Sequence, residues 1–161
     1  MRLIRWAAIL ALALAACSPP AGTSAAPATA AAQALHPVSG LPVIPLTVTT
    51  RGRTHAFRVE LARSDAEQER GLMFRTAMGA DEGMIFPMSP PRIAAFWMHN
   101  TVIPLDIVFI GTDHRILNIA ARAVPYDDRP LPSAGKVSGV LELNGGRAAA
   151  LGIGPGDRVD W

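Results

Sequence analysis

The feature that most restricts the fold of this chain is a succession of short β-rich runs, each closed by Gly, Pro, Asn or Asp, over residues 42–161. Residues 44–50 and 54–61 flank Arg51-Gly52-Arg53 and predict a hairpin. In its second arm Phe57, Val59 and Leu61 alternate with Ala56, Arg58 and Glu60, which predicts one buried face and one wet face. Residues 83–88 and 93–98 predict two strands joined by Ser89-Pro90-Pro91. Further strands are expected over 105–110, 115–124 and 137–143, with a Pro-rich loop over 126–135 and a last strand ending at Trp161.

Two segments depart from this rhythm. Ser64-Asp65-Ala66-Glu67 fits a capping box, in which the Ser hydroxyl and the Glu carboxylate each accept a backbone N–H of the other residue. It predicts a helix over 65–73 whose inner stripe, Ala66, Arg70 and Met73, turns Arg70 toward the body of the domain. Asn144-Gly145-Gly146 opens a second, alanine-rich helix that runs to Leu151. No internal repeat is present, and about 120 residues is the usual size of one domain. The expectation is a mainly β fold, a single small β-sandwich or distorted barrel with two short helices.

Polar side chains are concentrated in one stretch, Phe96-Trp97-Met98-His99-Asn100-Thr101-Val102-Ile103-Pro104-Leu105-Asp106. On a regular strand Trp97 and His99 share a side, where indole and imidazole could form a stacking floor for a ligand, although Trp97 as a core residue with its N–H bonded internally is the simpler expectation. Asn100-Thr101 before Pro104 fits a bend held by side chain to backbone bonds. Asp106 is in phase with Val108 and Ile110, and a carboxylate on an apolar face needs a partner. Arg70, Arg75 and His99 are the candidates. Glu142 raises the same question among Val140, Leu141 and Leu143, and two carboxylates in one cleft could act as acid and base. Met73, Met78, Met84, Met88 and Met98 precede His99 closely, a set that could hold Cu(I) or simply fill a core.

The amino terminus carries a separate message. Arg2 and Arg5 precede an apolar run over 6–16 and then the single cysteine, Cys17, after Leu14-Ala15-Ala16. This describes a signal peptide over 1–16, too short to span a bilayer. The cysteine position resembles a bacterial lipoprotein box, so Cys17 is expected to be lipidated, and Ser18 after it favours the outer membrane. Residues 17–41, rich in Ala and Pro, are expected to tether residues 42–161 at the periplasmic face of the membrane. Removing Arg2 and Arg5 from fifteen basic residues leaves thirteen against thirteen acidic ones. That balance, without a basic run, gives no footprint for nucleic acid.

Several stretches, taken together, resemble the family known as domain of unknown function 192. They are Arg70-Gly71-Leu72-Met73-Phe74-Arg75, Gly83-Met84-Ile85-Phe86, Trp97-Met98-His99-Asn100-Thr101 with Pro104-Leu105-Asp106, Leu141-Glu142-Leu143 with Gly146, and Gly156-Asp157. The resemblance implies a small, often exported protein with a jelly-roll-like β fold, and it implies no activity. The family pattern usually has Lys at the position of His99, which argues against a shared metal site there.

The functional expectation is a lipid-anchored envelope protein whose β domain is a binding or accessory module. Arg70, Arg75, Trp97, His99, Asn100, Asp106 and Glu142 would line or brace a site for a small polar ligand or an envelope partner, with no cofactor and no metal. The alternatives are a hydrolase using Asp106 and Glu142 and a periplasmic Cu(I)-binding protein using Met residues and His99.

Overall fold

The computed structural model describes residues 34–161. The signal peptide, Cys17 and the tether as far as residue 33 lie outside the described residues. The elements in chain order are β1 (Val43–Thr50), β2 (Arg53–Leu61), α1 (Asp65–Arg70), β3 (Glu82–Phe96), β4 (Leu105–Gly111), β5 (Ile116–Ala123), β6 (Leu131–Asn144), α2 (Arg147–Leu151) and β7 (Arg158–Asp160). The strands form one seven-stranded sheet in the order β5-β4-β6-β3-β2-β1-β7. All pairs are antiparallel except β2 with β3, where α1 supplies the crossover that a parallel pair requires. The sheet curls into a half-barrel. Its two edges approach one another where the Ile116 N–H donates to the Asp157 carbonyl at 2.9 Å and the Val159 N–H to the His114 carbonyl at 2.8 Å.

The β1–β2 hairpin forms as expected, but its turn is shorter: Thr50 pairs with Arg53, which joins β2, and Arg51-Gly52 alone connects the arms. The division of residues 83–98 into two strands is not observed. Ser89-Pro90-Pro91 lies inside β3, and its ladder to β6 shifts register between Pro87 and Arg92. Proline lacks an N–H but accepts an extended backbone, so an irregularity can absorb it without turning the strand. The first helix is also shorter than expected. The capping box at Ser64 and Glu67 is present, and Gly71 ends the helix with φ at +46°. A left-handed backbone of this kind suits glycine. No residue of α1 is buried, so the inner stripe is absent and Arg70 is exposed.

Alternation along the central strands creates two cores, one on each face of the sheet. Leu46, Val59, Ile85, Val108, Leu141 and Leu143 belong to the first. Met84, Phe86, Met98, Ile107, Phe109 and Val140 belong to the second. β4 is buried along its whole length because both of its faces are covered.

Glu60 departs from the expected wet face of β2, being only 3% exposed. Arg75 accounts for this: its Nη1 donates to Glu60 Oε1 at 2.8 Å and its Nη2 to Oε2 at 3.0 Å. Residues 35–41, assigned from sequence to the end of the tether, turn back on the domain here. Leu35 bridges Pro42, and the Ser39 hydroxyl donates to Glu60.

Candidate functional site

The polar motif begins where β3 ends and is held between two loops. The Met98 N–H donates to the Asp127 carbonyl at 2.9 Å, and the Met98 carbonyl accepts from Thr101 at 3.0 Å and from Tyr126 at 3.1 Å. On the other side the Asn100 carbonyl accepts from the Phe74 N–H at 2.8 Å. Three residues at this junction have left-handed backbone: Phe74 (φ 62), Asn100 (φ 52) and Tyr126 (φ 62). Asn adopts it readily, whereas for a bulky aromatic side chain it is an outlier that the surroundings must enforce. The result is that Phe74, Trp97 and Tyr126 all remain exposed around the motif.

Met98 is fully buried while Trp97 is 53% exposed, so the two lie on opposite sides as alternation predicted and the core reading of Trp97 is set aside. The Trp97 and His99 rings lie side by side, with centroids 5.2 Å apart and planes tilted by 34°. His99 Nδ1 lies 2.8 Å from Asp128 Oδ1, an exposed contact that fixes the ring without burying charge. Both rings stand at the edge of a cavity of about 370 Å³ between the carboxy-terminal end of α1, β3 and β6. Phe86, Phe96 and Met88 contribute apolar wall, and Arg70 and Arg92 are exposed members of the lining.

Glu142 belongs to the same lining and is its least solvated charged residue, 5% exposed. Its cross-strand neighbours are Met84 on β3 and Ile107 on β4, both apolar. Its Oε2 is buried with no hydrogen-bond partner. Burial pushes its carboxyl up to about 8, because the charged form loses hydration and gains no partner. The carboxyl is therefore mostly neutral at pH 7, able to donate a proton or to be ionised by an arriving cation.

Asp106 does something different. It is fully buried, and neither an arginine side chain nor His99 is its partner. Oδ1 accepts the N–H groups of Arg122 and Gly146, each at 2.8 Å, and Oδ2 accepts that of Ala148 at 2.9 Å. The carboxylate thus receives the free donors at the start of α2 and pins the bulged end of β5, a purely architectural role. Gly146 takes φ +90° to reach it, under the guanidinium of Arg122.

The structure brings together Arg70, Trp97, His99 and Glu142, and it separates Arg75, Asn100 and Asp106 from them. Arg75 is committed to Glu60, and Asn100 contributes its backbone bend and carbonyl to the support of the motif. Asp106 pairs in register with Leu143, whereas Glu142 pairs with Ile107. Register partners share a face and successive residues alternate, so Asp106 and Glu142 point to opposite faces of the sheet. The acid–base pair of the hydrolase alternative is not formed. Met84 and Met98 are core residues with no exposure, while Met73 and Met88 line the cavity. Among the described residues no group of three or more His, Cys, Asp and Glu side chains is arranged to hold a metal.

Sequence reasoning missed Arg92 and Phe96 as parts of this site. Arg92 follows Pro90-Pro91 and carried no signal. Phe96 is recognisable only from its edge-to-face contacts with Phe86 and Phe109, at 5.1 and 6.2 Å.

Comparison with known proteins places this architecture. The model of the DUF192 family, described as "Uncharacterized ACR", matches residues 46–161. The crystal structure of a protein of unknown function from Novosphingobium aromaticivorans DSM 12444 is similar at 64% identity and a TM-score of 0.79, covering 82% of this chain and 94% of that one. A "putative transcription regulator" from Sinorhizobium meliloti 1021 is similar at 40% identity and a TM-score of 0.73, over 74% of this chain and 94% of its own. No curated protein matches the chain.

Proposed function

This chain belongs to the uncharacterised DUF192 family, and from that premise we propose that it is a lipid-anchored cell-envelope protein whose β domain is a non-enzymatic binding module. The ligand is a small polar molecule taken up in the cavity above Glu142. The observation that carries the binding reading is the unpartnered, buried Oε2 of Glu142 in the lining of an open cavity edged by Trp97 and His99. A buried polar atom without a partner costs about 1–3 kcal/mol, a cost that a complementary ligand removes. The anchoring reading rests on the run of residues before Cys17.

Each half has its own test. Cys17→Ser should move the protein from the membrane fraction to the soluble envelope fraction and abolish labelling by a radioactive fatty acid; membrane retention by the variant refutes the anchor. A screen of small polar molecules by ligand-observed NMR should find binders whose signal is lost on Trp97→Ala and Glu142→Gln. A screen in which every hit is indifferent to both substitutions refutes the site.

One observation favours a second reading: Met73, Met88 and His99 all contribute to the same lining, and thioether with imidazole suits Cu(I). Titration with Cu(I) under anaerobic conditions decides it. One equivalent bound by the wild type and lost on Met88→Leu supports a copper site, and the absence of stoichiometric binding removes it.

A further inference from the structure

We infer that the cavity above Glu142 recognises a primary ammonium group carried on a short apolar body, an inference that rests on the cavity being the ligand site. Among the buried and half-buried polar side chains of the lining, no nitrogen or hydroxyl donor is free apart from the proton of Glu142 itself. Gln68 reaches into the lining, but its amide nitrogen already donates to the carbonyls of Ala62 at 3.2 Å and Pro87 at 2.9 Å. The Thr101 hydroxyl donates to the His99 carbonyl at 3.2 Å. The buried part of the lining includes the Glu142 carboxyl, the Met88 thioether and the ring of Phe86, against which half-buried Phe96 packs edge to face. Aromatic faces carry partial negative charge and attract cations.

A group that fits such a wall must bring donors and positive charge. A primary ammonium brings three N–H donors on a compact cation, enough to engage Glu142 Oε2 and leave others for neighbouring acceptors. The carbon body would then lie against Phe86, Phe96 and Met88. At the mouth Asp65, Glu69, Arg70, Arg92 and His99 complete the charged part of the lining, and their mixed signs favour neither charge on the outer end of the ligand. Beside Glu142, β3 and β4 present Met84 and Ile107, so no protein cation competes for the carboxylate there.

Ionisation gives the inference a signature of its own. A cation binds the carboxylate form, so association below the raised pKa of Glu142 expels one proton. Affinity for an amine should therefore rise about tenfold per pH unit well below pH 8, more gently as that pH is approached, and then level off. A neutral ligand that accepts a hydrogen bond from protonated Glu142 shows the reverse, a flat profile that declines above that pH.

The experiment compares n-butylammonium with n-butanol by calorimetry at pH 6, 7 and 8 on the full chain in detergent micelles. The expected result is that butylammonium binds at least tenfold more tightly than butanol at pH 8, loses about fivefold at pH 7 and about tenfold more at pH 6, and releases about one proton at pH 7 in buffers of different ionisation enthalpy. Glu142→Gln should remove both the preference and the proton release. Equal binding of the two probes, or amine affinity that is flat or falling with pH, overturns the ammonium assignment. If butanol then binds in a manner lost on Trp97→Ala, the cavity stands as a ligand site of another class. If neither probe binds, the ammonium assignment falls, and the screen of small polar molecules decides the cavity separately.

Discussion

Replacing Glu142 by Gln should stabilise the protein at neutral and alkaline pH and leave it nearly unchanged in acid. The carboxyl is pushed up to about 8 in the fold, against an ordinary value of 4.5. Below 4.5 the side chain is protonated in both the folded and unfolded states, and it contributes no pH dependence. As pH rises the unfolded chain loses its proton first, so stability falls steadily until the folded pKa is passed and then becomes constant. Each pH unit within that window is worth about 1.4 kcal/mol. Wild-type protein should thus lose about 3 kcal/mol between the acid plateau and pH 7, a large fraction of the 5–15 kcal/mol that holds a domain together. Gln is nearly isosteric and stays neutral, so its curve lacks this slope. Urea denaturation followed by tryptophan fluorescence at intervals from pH 4 to pH 9 measures both curves. Parallel curves for the two proteins would refute the reasoning, because they would mean that the floor of the cavity is wet enough to leave the carboxylate solvated.

Three other substitutions separate the architectural residues from the ligand site. Asp106→Asn removes the acceptor for the Ala148 N–H and sets an amide against it; about 2 kcal/mol of stability should be lost in denaturation, with ligand affinity of the folded protein unchanged. Arg75→Ala leaves the Glu60 carboxylate buried without its cation and should cost about 3–5 kcal/mol, while the double replacement Glu60→Leu with Arg75→Met should recover most of that in the same assay. Trp97→Ala should change stability by less than about 1 kcal/mol, since the indole is half exposed, yet weaken binding in the cavity about tenfold by calorimetry.

The envelope expectation and the ammonium assignment belong to different parts of the chain and can fail independently. The first rests on residues 1–17, the second on side chains from α1, β3, β6 and the loop over 97–101. Among the carboxyl groups that line the cavity, Glu142 alone is buried, and its Oε2 has no partner. Asp106 lies on the opposite face of the sheet, and the other carboxylates of the lining, Asp65 and Glu69, are exposed on α1.

The sequence by itself determined what depends on near neighbours. The turn around Gly52 makes the β1–β2 hairpin, Ser64 with Glu67 caps α1, and alternation puts Trp97 and Met98 on opposite sides of their strand, because turns, caps and strand faces are set within a few residues. The mainly β class follows from the same local signals. Alternation also says that Asp106 is in phase with Val108 and that Glu142 is in phase with Val140. It cannot say which face of the sheet either one joins. That was decided by the register of β4 against β6, which sends Asp106 toward the amides of α2 and Glu142 into the cavity. The partner of Glu60 was equally hidden, since nothing local distinguishes Arg75 from Arg70, and only the return of the loop after α1 brings one guanidinium inward and leaves the other at the mouth of the cavity. Burial of a charge is a property of what covers it. For this chain the covering segments come from strands and loops far apart in sequence, so the fate of each polar residue was fixed by tertiary packing, while the places where polar residues would need one were already written in the chain.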